Sequence, residues 1–416
     1  MDNEKNPVCS NACNVSLTED LGMLEGQAII CLSGCDWDFS WQPTQEVMQR
    51  LACAGNQVLF VEPTGTRTIR LADWRRVVQR LGKNSGVLRP SRNRPENLAV
   101  YAPLIVPFPH SRVARFANRC ILLWKIRRWL KATGCQECIL WVFFPSPLNL
   151  DILRHLSPAA SVYQYMSSAE AACPHPDIER ANIALLSECD IVFANSLRLR
   201  DHAKTYCGRV YLARAGVNME IFDVPLDSGS RQPHALDGLS GPIIGYIGTI
   251  HRWIDLSLLR RVAEALPEYI FVMVGPVAVD ISDLLAVPNI RWVGQQAHRD
   301  LPSFIRRFDV CIIPYVVDRY TESSFPAKLN EYLAMGKPVV AVAIPEIRDF
   351  NTEYCGAVFL ADDAVSFVSA IRRALQYPTE TTRARYREIA LHNSWAARVE
   401  QMAQLVEDRL RVLKES

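Results

Sequence analysis

Short apolar runs alternate with helix-like segments almost from end to end of the chain, and this alternation restricts the fold more than any other feature. It is the pattern of repeated βαβ units, whose strands lie parallel with both faces buried. In the first half the strand candidates are Ala28–Leu32, Gln57–Val61, Leu98–Tyr101, Ile139–Phe143, Ser161–Tyr165, Ile191–Ala194 and Val210–Ala213. Helical patterns near Thr44–Ala54, Arg112–Ala132, Pro176–Glu188 and Leu197–Tyr206 lie between them. The stretch Asp227 to Gly241 is polar and rich in Gly and Ser, which reads as a linker. Beyond it the alternation restarts with strands Ile243–Ile247, Ile270–Val274, Ile290–Val293, Val310–Pro314 and Val339–Val342. Helices are expected over Leu256–Ala265 and Leu301–Phe308, with a helical tail from about Ala364 to Lys414.

A length of 416 residues suits two domains of about 200 residues each. The division is a polar tail (1–25), a first Rossmann-like domain (26–226), a linker (227–241), a second Rossmann-like domain (242–395) and a C-terminal helix (396–416). Apolar residues make up 49% and charged residues 22%, enough for two buried cores and inconsistent with bulk disorder. Thirteen cysteines at irregular spacing, after a start without an apolar targeting core, point to a reducing cytoplasm. Cys135 and Cys138 form a C-x-x-C with no second pair at zinc spacing, so they read as structural thiols. No apolar run reaches the roughly 18 residues that span a bilayer.

The net charge of +2 conceals an asymmetry. Sixteen Lys or Arg stand between Pro63 and Gln136 against only Asp73 and Glu96. Within that block, Arg112–Lys131 carries seven cations and no acid, with Phe116, Trp124 and Trp129 interleaved. As a helix it suits an anionic membrane surface; the plainer alternative is a buried crossover helix with arginines at its rim. No recognisable DNA- or RNA-binding module accompanies it, and no nucleic-acid partner is expected.

The stretch Ser323 to Val340 sits between two apolar runs and reads as strand, loop, helix, strand. Ser324 is the expected N-cap and Pro326 suits the first turn; Gly336 and Pro338 stop the helix after about three turns. Lys328 and Glu331, three residues apart, share one face. A cation beside unpaired backbone N–H groups suits a diphosphate, and a carboxylate one turn later suits ribose hydroxyls. A solvated Lys–Glu pair is the plainer reading, but a helix opening after a buried parallel strand is where such sheets bind ligands. Strands also end at Gly248, Gly275 and Gly294, where a glycine permits a sharp turn or a close approach. Gly248 and Thr249 could offer amides to a diphosphate or merely turn the chain, and Arg252 could grip phosphate or lie on the surface. Tyr320, Glu322, Ser323 and Ser324 precede the helix and could touch sugar or phosphate.

In the first half, Asp36 and Asp38 follow the first strand, where a carboxylate could take a proton from an attacking hydroxyl, bind that hydroxyl, or cap a helix. Glu170 is a comparable candidate, and Asp190 reads as a strand-start residue.

These residues resemble the two-domain glycosyltransferases of the GT-B fold, close to bacterial family 4 and teichuronic-acid-type enzymes of envelope polysaccharide synthesis. The C-terminal marks are Gly245-Tyr-Ile-Gly248-Thr249, Trp253-Ile-Asp255, Val274-Gly275-Pro276 and Lys328-Leu-Asn-Glu331 running on to Val340. The N-terminal marks are Asp36-Trp-Asp38 with Trp41-Gln42, Asp190 through Ser196, and Ala215-Gly216-Val217 leading to Phe222. The resemblance covers nearly the whole chain. It implies two domains with parallel sheets facing an interdomain cleft and a C-terminal helix packing back toward the first domain. It further implies a nucleoside-diphosphate sugar held by Gly248, Thr249, Arg252, Ser324, Lys328 and Glu331, with Asp36, Asp38 or Glu170 as the catalytic carboxylate. No metal or cofactor is implied. The acceptor would be a polysaccharide or lipid-linked, and the protein cytoplasmic, peripheral on the inner face of the plasma membrane.

The chain departs from that pattern at three points. Many relatives carry two glutamates eight positions apart, but here that position is Ser323, with Glu322 one residue off. Acids expected after Val162–Tyr165 are absent, and the family's Gly-Val-Asp reads Gly216-Val217-Asn218. The same fold also admits a nucleotide-sugar 2-epimerase or a nucleotide-binding protein without catalysis.

Overall fold

The computed structural model describes residues 24–38, 41–63, 88–89, 94–106, 111–167, 175–223, 233–376 and 379–415. Residues 1–23 of the polar tail, much of the basic block and residues 227–232 of the expected linker lie outside them.

The first sheet contains β1 (Ala28–Leu32), β2 (Gln57–Val61), β3 (Leu88–Arg89), β4 (Leu98–Tyr101), β5 (Ile139–Val142), β6 (Ala160–Tyr165), β7 (Ile191–Ala194) and β8 (Val210–Leu212). Their spatial order is β3-β4-β2-β1-β5-β6-β7-β8. Every pairing is parallel except β3 with β4 at the edge. The second sheet contains β9 (Ile243–Ile247), β10 (Ile270–Val274), β11 (Ile290–Gly294), β12 (Val310–Ile313), β13 (Val339–Val342) and β14 (Phe359–Ala361). It is wholly parallel, in the order β11-β10-β9-β12-β13-β14.

Strand order reverses between β1 and β5 in one sheet and between β9 and β12 in the other. At such a reversal the following loops diverge and open a crevice at the carboxyl ends of the strands. The two carboxyl edges face each other. Arg198, at the start of the helix after β7, is ion-paired with Glu322, which follows β12. The Leu197 N–H donates to Glu346 after β13 at 2.6 Å.

The central strands are buried on both faces, as their unbroken apolar runs require. One face of the first sheet is covered by Leu122, Ile126, Trp129 and their neighbours. The other face shares a continuous core with the second lobe through Trp395, Val399, Met402 and Val406. These last belong to the C-terminal helix Trp395–Glu415, which packs on the Pro43–Cys53 helix and β6 of the first lobe. Arg409 on that helix bonds Asp190 at 3.0 Å, and Asp190 also accepts from the Ser161 amide and hydroxyl. Asp190 is thus a structural anchor, as its strand-start position suggests.

Candidate functional site

The loop after β9 and the chain after β12 build one corner of the crevice. Tyr246, the fourth residue of β9, is buried and donates its hydroxyl to the Thr249 carbonyl at 3.1 Å. Lys328 comes back over it from the other loop. Its ammonium donates to the Tyr246 hydroxyl at 2.5 Å and stands 3.9 Å from that ring's centroid, with the Tyr315 ring at 5.3 Å. Cation–π attraction to these rings favours the ammonium there.

Gly248 makes the arrangement possible. Its φ of +119° is closed to most residues, and a Cβ there would lie 2.8 Å from the Lys328 Nζ. Gly275 closes the turn from the far side: at φ +151° it lies so near Gly248 that a Cβ would fall 2.1 Å from the Gly248 carbonyl oxygen. The expectation that Gly248 offers its amide to a ligand is corrected, because that N–H already donates to the Val274 carbonyl at 2.8 Å. The Ile250 N–H is likewise taken by Pro276 at 2.9 Å. Thr249, exposed between them, keeps an amide without an acceptor among the described residues.

The Lys328 helix is also corrected. It runs Lys328–Ala334, seven residues, with Ala327 before it and no side-chain cap. Ser324 is not the N-cap: it sits four residues upstream in extended backbone (φ −123°, ψ 124°). Pro326 and Ala327 instead begin the turn through their carbonyls, which accept from Leu329 and Asn330 at 3.0 and 3.1 Å. So short a helix adds little dipole, and the positive character of this corner comes from side chains.

Burial depresses the Lys328 pKa to about 7, although the Glu331 carboxylate on the same face works against the shift. Glu331 Oε1 accepts from His298 Nε2 at 3.1 Å. Arg252 is exposed on the loop beyond Thr249, near enough for its charge to act on the Tyr320 hydroxyl. Trp253 is stacked between His251 (3.9 Å) and Tyr320 (5.0 Å), which joins the two loops of this corner. Glu322, one residue off the expected glutamate spacing, is occupied by Arg198 of the facing lobe, and the Ser323 hydroxyl is turned into its own loop.

Across the crevice, Asp36 is half-buried and its carbonyl accepts from Gln45 at 3.3 Å. Asp38 is exposed, with Arg94 at 3.3 Å. Between them Trp37 is buried against Phe60 at 4.9 Å, so the two aspartates flank a core anchor. Glu170 lies outside the described residues. Gly248, Thr249, Lys328 and Glu331 thus gather in one corner with Arg252 beside it, and Asp36 and Asp38 occupy the opposite switch point. Tyr246 and His298 carry no local motif; only the neighbourhood of Tyr246 to Gly248 hinted at it.

Residues 241–377 match the family described as glycosyl transferases group 1. Over 227 residues the chain is 30% identical to TuaH of Bacillus subtilis (strain 168), named for teichuronic acid biosynthesis as a glycosyltransferase. That match covers 52% of this chain and 57% of the relative, little more than half of each. Sucrose-phosphate synthase from Thermosynechococcus elongatus superposes with a TM-score of 0.66 at 18% identity, over 93% of this chain and all of that one. HepE of Anabaena, solved in complex with UDP, superposes at 0.64 with 11% identity, over 92% of this chain and 100% of that one. The chain therefore has the GT-B fold expected from its motifs, and its residues 241–377 match the sequence pattern of the group 1 glycosyl transferases.

Proposed function

We propose that this protein moves a sugar from a nucleoside-diphosphate sugar onto a polysaccharide or lipid-linked acceptor in envelope or exopolysaccharide synthesis. The second lobe (242–395) would hold the donor and the first (26–226) the acceptor. The observation that carries the proposal is the Lys328 ammonium, held over Tyr246 at the β9/β12 switch point with Glu331 one turn on. Support also comes from the TuaH likeness and from the UDP bound to HepE.

In this reading the diphosphate leaves as the acceptor hydroxyl attacks the anomeric carbon. Lys328 and Arg252, with the Thr249 amide, meet the charge that develops on the leaving oxygens, a stabilisation that is strong where water is excluded. Glu331 accepts hydrogen bonds from the ribose. Asp36 or Asp38, at the opposite switch point, would take the proton of the attacking acceptor hydroxyl. Protein cations in this role fit a metal-independent reaction, and undiminished turnover in EDTA is the expected result.

Peripheral attachment to the inner face of the plasma membrane completes the reading. Among the described residues no helix is long and apolar enough to cross a membrane. The Arg112–Thr133 helix buries Leu122, Ile126 and Trp129 but turns Val113 (79% exposed), Phe116 (59%) and Trp124 (54%) outward. Arg119 lies over Phe116, and Lys125 and Arg128 lie over Trp124. Apolar side chains ringed by cations suit the interface of an anionic bilayer.

The deciding experiment is a panel of nucleotide-sugars scored for released nucleoside diphosphate, alongside nucleotide binding by Lys328→Ala and Glu331→Ala. Loss of binding in both is expected; unchanged affinity in both overturns the proposal. No contact among the described residues favours the 2-epimerase or the inactive binder, and product analysis without acceptor separates them.

A further inference from the structure

A histidine at the junction of the lobes is bonded to Glu331. His298 opens the single turn His298–Asp300 after β11. Its Nε2–H reaches Glu331 Oε1 at 3.1 Å, on a side chain only 15% exposed. Glu331 Oε2 has no partner among the described residues. The imidazole meets Phe222 edge to face, with centroids 5.2 Å apart and planes at 67°. Phe222 is fully buried and ends the short helix Met219–Phe222, where the chain leaves the first lobe.

A second first-lobe group acts on the same ring. Burial of the imidazole disfavours its proton, yet the bond to Glu331, the Glu331 charge and the charge of Glu46 together outweigh this and raise its pKa. Glu46 is buried on the Pro43–Cys53 helix and fixed there by Trp41 at 2.6 Å and Arg50 at 2.8 Å. Asn218, which caps the Phe222 helix, approaches it at 3.4 Å.

A glutamate left to rotate loses side-chain entropy when it grips a ligand, whereas one tied by a single oxygen has met that cost in folding. We infer that His298 is a positioning residue: it pins Glu331 through Oε1, presents Oε2 to a ribose hydroxyl, and links that grip to the first lobe through Phe222 and Glu46. The inference rests on Glu331 being the ribose ligand.

The test separates the two claims. UDP, GDP and ADP are titrated against the full chain by calorimetry, and the tightest binder is carried forward with its 2′,3′-dideoxy form. Glu331→Ala should weaken the ribonucleotide and spare the dideoxy form. His298→Phe and His298→Ala should do the same, by about tenfold on the ribonucleotide. His298→Gln, which keeps an N–H donor at that reach, should retain most of the affinity. If His298→Phe binds both nucleotides like the parent while Glu331→Ala discriminates, His298 does not position Glu331 and the ribose reading stands. Equal weakening of both nucleotides by His298→Phe, with His298→Gln no better, means a merely structural role and overturns the inference. If Glu331→Ala discriminates against neither, the ribose reading falls and the inference with it.

Discussion

At the scale of single residues, the lysine in the crevice corner has two consequences. Its free-state pKa of about 7 arises because burial penalises the ammonium more than Glu331 supports it. A diphosphate favours the charged form, so the bound-state pKa is higher. Below pH 7 the ammonium is already present and binding needs no proton. Above it, binding takes up a proton, and affinity for a nucleoside diphosphate should fall by up to tenfold per pH unit through the window from 7 upward. Calorimetry in buffers of different ionisation enthalpy should register this uptake at pH 8, and Lys328→Ala should abolish it. Gly248→Ala should act on the same ammonium from the backbone side. A Cβ 2.8 Å from Nζ, at φ +119°, costs about 1–3 kcal/mol and displaces the cation. Thermal denaturation and nucleotide titration should both report the change, with affinity at least about tenfold lower. Lys328 and Glu331 were legible because three-residue spacing on a helix needs no long-range knowledge. Tyr246 and His298 were not, since each meets its partner across 82 and 33 residues of sequence.

At the scale of elements, β1, β2, β4, β7, β9, β10 and β13 coincide with the strands read from their apolar runs, because strands buried on both faces are nearly continuous apolar sequence. The omissions have physical reasons. β3 and β14 are two- and three-residue edge strands, too short for periodicity. The helices Pro147–Leu156 and Pro345–Glu353 both open on proline, which reads as a breaker unless it is placed at the first helical turn. The single tail read from Ala364 to Lys414 is three helices, Ala364–Leu375, Glu380–His392 and Trp395–Glu415. The Arg112–Thr133 helix was legible as a helix, but which of its aromatics face solvent was not; the fold buries Trp129 and turns Trp124 out. Phe116→Glu and Trp124→Glu should therefore cut binding to phosphatidylglycerol vesicles several-fold in a flotation assay. Stability should stay within about 0.5 kcal/mol, as for exposed positions generally. Raising salt from 0.1 to 0.5 M should weaken the parent's binding, because the cationic contribution is screened.

At the scale of the whole molecule, Arg214 makes two ion pairs between the lobes. Its Nε bonds Glu346 at 3.2 Å and its Nη1 bonds Glu353 at 2.7 Å, with Arg214 and Glu346 only 3% and 1% exposed. Nearby, Asn330 donates to the Ala215 carbonyl at 2.9 Å, so the helix carrying Lys328 and Glu331 is tied to the first lobe directly. Burial raises the Glu346 pKa, and Arg214, with the Leu197 and Arg198 amides, only partly offsets it. A carboxylate in that position depends on its arginine. Arg214→Leu should lose about 3–5 kcal/mol by leaving Glu346 charged and unpaired in the junction. Arg214→Leu with Glu346→Gln should recover much of this, since the neutral amide still accepts from the Leu197 N–H. A denaturant-unfolding cycle over the parent, both single variants and the double variant measures the coupling. Additive losses would mean that the Arg214–Glu346 pair contributes no coupling across the junction. A positive coupling would make Arg214 the fixed point about which the Lys328 corner and the Asp36 loop keep their alignment.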